Sequence, residues 1–298
     1  KHIQKYYETT GIGDFPTRLK PISIKTEIDE KKRFPKLVDI NNDILRLNLA
    51  IYSPMLYLLD TKKEEYESIY KQVVKEGSSE FLQSDREKSL VNLMRVNILK
   101  RLESSVHSFS LTLERLLNNI EIALSKLDKV QEVIELNNDI DDDETYEFEI
   151  GKQVKVKLKD MDLIRYRQDL EDDRSIIKSM LDYAKAVKPN DDIKLKKLIE
   201  EIENKIRNPI NPSNKKVIVF TAFSDTAKYL YEHTNDYFLE KYGLYSGIVT
   251  GSDITKSNAP RIRNGFEEIL AYFSPRSSKV EKIQHEIDIL IATDCISE

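Results

Sequence analysis

A single cysteine, Cys295, in 298 residues excludes an internal disulfide framework and a cysteine-rich zinc site. The four histidines are scattered and lack metal-ligand spacing. No apolar run approaches the roughly 18 to 20 residues a membrane helix needs, and the opening KHIQKYYETT has no apolar core of a signal peptide. These absences fit a folded protein of a reducing, cytoplasmic compartment with no membrane partner. Basic charge is not in excess either. The formal net charge is -5, with 37 Lys+Arg against 40 Asp+Glu up to residue 214 and 10 against 12 after it. Nucleic-acid binding draws largely on Lys and Arg neutralising phosphates, so strong unassisted binding is not expected. Any such contact must come from a few placed groups, or from other parts of a larger protein. The chain does not begin with Met, as expected of a piece of a longer protein.

Helix breakers are scarce. Only eight glycines and nine prolines occur, and neither falls between Asp85 and Ile150, which predicts a very long helix there. Ser84 with Glu87 reads as a capping box at its start. Leu102, Val106, Phe109, Leu113, Leu116 and Ile120 recur in steps of four and three, and Leu124, Leu127, Val130 and Ile134 continue the stripe. A helix from about Asp85 to about Glu135 would be roughly 75 Å long, so it must project, bend or pair. Leu37, Ile40, Ile44, Leu47 and Ile51 give a helical pattern before it, bent near Pro54 and continued by Leu58, Tyr66, Tyr70 and Val73. Leu163, Tyr166, Leu170, Ile177, Leu181 and Ala184 give another after it. These segments can pack as an antiparallel bundle, a helical arm over residues 35–207. Within it NNDIDDDET (137–145) is a solvated acidic loop, and the alternation about Gly151 suggests a hairpin within 137–158. Asp191 to Ile206 is one more amphipathic helix.

At Asn208 the character changes. NPINPSN makes 208–214 a linker, and residues 215–298 alternate short β-rich runs with helical ones. KVIVF reads as a buried strand, Asp225 to Leu239 as a helix, YSGIVTG as a second strand, Ala259 to Phe273 as a helix and IDILIAT as a third strand. Such alternation predicts parallel strands. The expected fold class is therefore mainly α, with long helices in an antiparallel bundle, followed by a partial α/β parallel sheet.

Three segments at strand ends carry a family resemblance. KKVIVFTAFSDTAKYLYEH (215–233) resembles helicase motif IV, IVTGS (248–252) fits the segment that follows, and IDILIATDCISE (287–298) resembles the opening of motif V. LMRVNILKRLESSVHSFSLTLERL (93–116), DLEDDRSIIKSML and DIKLKKLIEEI resemble the helical region between the motor lobes of bacterial Swi/Snf-type, RapA-like superfamily 2 helicases. KYYETTGIGDFPTRLKP resembles the stretch just after the first lobe, placing 1–34 there. The resemblance implies a RecA-like second lobe cut inside motif V, and a parent that couples ATP and Mg to movement along DNA, with RNA not excluded. It also implies that Thr221, Thr250, Gly251 and Thr293 face the nucleic-acid backbone, where hydroxyls and amides suit phosphate. Asp294 and Glu298 would lie toward the nucleotide. The first lobe is an implied partner, and the arm could dock a protein.

No G-x-x-x-x-G-K-[ST] loop and no Walker B pair occur, so this chain alone is expected to bind no cofactor and not to hydrolyse ATP. Blander readings stand beside these. Thr and Gly also end strands for structural reasons, and Asp294 can cap a following helix. Lys100, Arg101 and Glu103 read first as a solvated helix surface, with nucleic-acid contact or docking on a motor lobe as the alternative. Asp141 to Glu144 lack the alternation and closing Glu of a calcium loop, and His107 reads as a packed or surface residue. The rival for the whole is a non-enzymatic helical interaction protein with a degenerate α/β unit. Walker motifs upstream and a motif VI downstream would decide for the motor.

Overall fold

The computed structural model describes residues 19–70, 72–73, 80–136, 149–150, 155–211, 214–251, 254–278 and 284–296. Helix dominates, and the largest sheet is a mixed one of four strands. The chain divides into two units, Ile28–Asp191 and Asp192–Glu298, the described residues before Ile28 grouping with the second. Among the described residues no helix is long and apolar enough to cross a membrane.

The first unit is helical. Ile40 and Ile44, one turn apart, bury one side of α1 (Leu37–Arg46). Two short 3-10 turns, Ala50–Tyr52 and Pro54–Tyr57, lead to α2 (Asp60–Tyr70). The expected helix through this segment is thus interrupted at Leu47, before Pro54. The cause is Leu49, left-handed at φ 53. Asp173 holds that bend from across the core, its two carboxylate oxygens accepting the amides of Asn48 at 2.7 Å and Ala50 at 3.1 Å. Beyond α2, Gln72–Val73 (β1) pairs antiparallel with Glu80–Phe81 (β2).

The single long helix is two helices, α3 (Gln83–Ser104) and α4 (Val106–Leu136). Ser105 between them is extended at φ -162, and its hydroxyl oxygen accepts the Ser108 amide at 3.0 Å. A serine that satisfies a helix's first amides favours a new start over continuation. The capping box is also corrected. Glu67 accepts the amides of Gln83 at 2.7 Å and Ser84 at 3.0 Å, while Glu87 is buried and accepts the Met55 amide at 3.0 Å.

Phe109, Leu113, Leu116 and Ile120 of α4 bury against Tyr166, Leu170, Ile177 and Leu181 of α5 (Leu163–Ala186). Each such side chain contributes about 1.5–3 kcal/mol on burial. The pair is antiparallel, because Glu114 near the start of α4 meets Lys185 near the end of α5 at 2.7 Å, and Asp128 meets Arg167 at 2.6 Å. Glu149–Ile150 (β3) pairs antiparallel with Val156–Lys157 (β4), the location expected for the hairpin. The acidic loop lies outside the described residues.

The second unit begins with α6 (Ile193–Arg207), capped by Asp192, which accepts the Leu195 amide at 3.0 Å. This helix, expected in the arm, packs Ile202 and Ile206 into the core of the α/β unit. The strands are β5 (Val217–Phe220), β6 (Tyr245–Val249), β7 (Thr255–Ser257) and β8 (Ile287–Ala292), in spatial order β5-β8-β6-β7. β5, β8 and β6 are parallel, but β7 runs antiparallel to β6, so the sheet is mixed where an all-parallel one was expected. The helices between strands are α7 (Ser224–Tyr242) and α8 (Phe266–Phe273). Ala227, Tyr231 and Phe238 of α7 join α6 over Ile248, Ile289 and Ile291, while Ile269 of α8 covers Val249, Ile287 and Leu290 on the other face. Gly247 permits that second layer, since a Cβ there would come within 3.0 Å of Ile269 and 3.1 Å of Ile287.

Two further expectations change. KVIVF is an edge strand, with Ile218 46% and Phe220 57% exposed. The helix expected from Ala259 starts only at Phe266, because Arg261 and Asn264 take positive φ values of 68 and 57.

Candidate functional site

The strand register builds the candidate site. Ala292 lies opposite Phe220 on one side and Val249 on the other. The next residues, Thr221, Thr293 and Thr250, therefore form a row across the C-terminal ends of three neighbouring parallel strands. Hydrogen bonds carry the ladder into this row: the Thr221 amide donates to Ala292 O at 3.0 Å, and the Thr293 amide to Val249 O at 3.2 Å. The chain leaves β5 for α7 on one face and leaves β6, through β7, for α8 on the other. The end of β8 lies between these departures, the position where open α/β sheets form a ligand crevice.

Side chains in the row are mostly engaged. The Thr250 amide donates to Ile254 O at 3.0 Å, and its hydroxyl accepts the Ile254 amide at 3.3 Å, closing the β6–β7 turn. The Thr293 hydroxyl oxygen accepts the Gly251 amide at 3.1 Å, tying the end of β8 to the end of β6. Thr250 is 3% and Thr293 4% exposed, so these hydroxyls shape the edge from inside. Thr221 is half-buried, while Gly251 and Asp294 are exposed. A Cβ on Gly251 would sit 3.7 Å from the Cys295 Cβ, ordinary contact, so no close approach there demands glycine. Asp294 opens a one-turn 3-10 helix, Asp294–Ile296, and Glu298 lies outside the described residues. The structure thus brings together Thr221, Thr250, Gly251, Thr293 and Asp294.

Arg101 of α3, weighed as a contact residue, is half-buried and donates to Ser108 Oγ at 3.1 Å, bracing the break between α3 and α4. Among the described residues no three His, Cys, Asp or Glu are grouped to hold a metal ion.

Three cations were not singled out from the sequence: Lys256 on β7, and Arg261 and Arg263 in the β7–α8 loop, all exposed. The cue was present in NAP and RNG, loop signals on either side of Arg261, but the run was read as helix. Compared with protein families, with curated proteins and with solved structures, the chain matches none of them.

Proposed function

We propose that this chain supplies a helical arm and the opening part of the second RecA-like lobe of a bacterial Swi/Snf-type superfamily 2 ATPase that moves along DNA. The observation that carries the reading is the threonine row. Three segments far apart in sequence, each resembling part of the second helicase lobe, end side by side on adjacent parallel strands. In this reading the edge faces the nucleic-acid backbone. Gly251 and the half-buried Thr221 lie at its surface, while the Thr250 and Thr293 hydroxyls hold the loops in register. ATP and Mg would be held mainly by the other lobe of the parent protein, with Asp294 toward the cleft, and no step through them is assigned to this chain.

The exposed Ile218 and Phe220 on edge strand β5 favour a second reading, a non-enzymatic interaction module. One experiment separates the two. ATP hydrolysis by the protein carrying both lobes is titrated with DNA, in wild type and in Thr293→Ala. The motor reading expects DNA to accelerate hydrolysis and the variant to lose most of that acceleration. Hydrolysis indifferent to DNA sinks the motor, and equal acceleration in the variant removes Thr293 from the coupling.

A further inference from the structure

The β7–α8 loop, residues 258–265, is fixed in its backbone and free in its charges. Arg261 and Asn264 both sit in the left-handed region, at φ 68 and 57. Asparagine tolerates that conformation, whereas arginine is strained in it. The surroundings impose it. Asn258 accepts the Ser246 amide at 2.7 Å and donates to Asn235 O at 3.1 Å. Asn264 accepts the Ser257 amide at 2.9 Å through its side chain and the Thr255 hydroxyl at 2.5 Å through its carbonyl. Glu268, in the first turn of α8, accepts the Arg263 amide at 2.9 Å. That carboxylate thus holds the loop's backbone and leaves the guanidinium alone.

Among the described residues the side chains of Lys256, Arg261 and Arg263 have no ion pair and no hydrogen bond, and all three are exposed. Several other cations of the unit are committed: Arg207 and Lys241 to Glu203 at 3.0 and 2.6 Å, Lys216 to Glu286 at 2.8 Å. The loop starts by Ser246, at the other end of β6, and only its last part returns toward the threonine edge. Asn264 is bonded to Thr255, Thr255 pairs with Val249, and Thr250 follows.

We infer that Lys256, Arg261 and Arg263 form a stiff cationic arm that grips the sugar–phosphate backbone of a nucleic acid lying on the threonine edge. This rests on the reading above that the edge faces nucleic acid. It gives that face the cations which the buried threonine hydroxyls do not supply. A guanidinium presents a planar fork to phosphate oxygens and carries no base-edge code here, so the contact is one of affinity and not of sequence. A loop whose backbone is already ordered loses little entropy when it binds. The overall charge of -5 is no obstacle, because three exposed cations fall between residues 256 and 263.

The test is binding of a labelled DNA duplex to this chain by fluorescence anisotropy over a range of salt concentrations. Wild type is expected to bind at low salt and to weaken as salt rises. Arg261→Ala with Arg263→Ala is expected to bind more weakly and to flatten the log–log salt slope by about two, at about 0.9 per lost phosphate contact. Arg261→Lys with Arg263→Lys is expected to keep most of the slope. Wild-type affinity and slope in the alanine pair would overturn the arm and leave the wider reading standing. A lysine pair as impaired as the alanine pair would also overturn it, since charge would then not be the determinant. A wild type that binds no duplex even at low salt would sink the arm and the DNA-facing edge together.

Discussion

The Gly251 amide donates to the Thr293 hydroxyl oxygen at 3.1 Å, joining the ends of β6 and β8 through a side chain that is almost fully buried. Gly251 is exposed, so water can replace the lost acceptor and the bond contributes a net of about 0.5–1.5 kcal/mol. Thr293→Ala is therefore expected to lower stability by about that amount and to speed hydrogen exchange at the Gly251 amide. Thr293→Ser, which keeps the oxygen, should restore protection. Equal exchange at Gly251 in wild type and the alanine variant would show that this bond does not order the edge.

Glu203 of α6 predicts an acid limit for the α/β unit. It accepts from Lys241 at 2.6 Å, Tyr237 at 2.5 Å and Tyr242 at 3.0 Å, all on α7. The Lys241 ammonium and then the Tyr237 hydroxyl hold its carboxyl down at about 2, below the ordinary 4.5. A depressed carboxyl stabilises the fold above its unfolded value and loses that contribution as pH falls from about 4.5 through about 2. Glu203→Gln should be less stable at neutral pH by about 1–2 kcal/mol and should melt with a shallower acid slope. Parallel pH curves for variant and wild type would refute the assignment.

The α4 and α5 stripes were legible because apolar residues at spacings of three and four read as a buried face whatever they pack against. The break at Ser105 was not, since Leu102, Val106 and Phe109 keep the spacing on both sides of it. Asp173 shows a second limit: its role as the anchor of the Leu49 bend depends on amides more than 120 residues away in sequence. KVIVF failed for a different reason. A short apolar run cannot tell a central strand from an edge strand with one face uncovered. For the site, the strand ends at Thr221, Thr250 and Thr293 could be read locally, but only register made them neighbours. The arm was lost with the helix expected from Ala259, which hid two left-handed residues.

Glu87 sets an opposite pH trend in the helical unit. Burial pushes its carboxyl up to about 8, against the Met55 amide and the Gln83 side chain, which pull it down, and with the Glu67 carboxylate adding to the rise. Tyr166, whose buried hydroxyl has no hydrogen-bond partner among the described residues, lies within its field from α5. A raised carboxyl stabilises fully below its unfolded value of 4.5, and the contribution is lost as pH climbs from there through about 8. Glu87→Gln stays neutral and can still accept the Met55 amide. Urea unfolding should therefore show the variant gaining on wild type between about pH 5 and pH 8.5. A constant difference across that range would mean that Glu87 does not titrate in it.

Arg261 sets stability against binding. At φ 68 an arginine is strained, and glycine is not. Arg261→Gly removes that strain at the cost of extra freedom in the unfolded chain, so a net gain of about 0.5–1 kcal/mol is expected by urea unfolding. The same change deletes one cation of the arm, so affinity for a DNA duplex should fall and the salt slope should flatten by about 0.9. Opposite signs in the two measurements are what a strained residue kept for its ligand produces. A glycine variant that loses stability would mean that the arginine itself holds the loop in shape, and a variant that gains stability with unchanged DNA affinity would leave the strain without the function assigned to it.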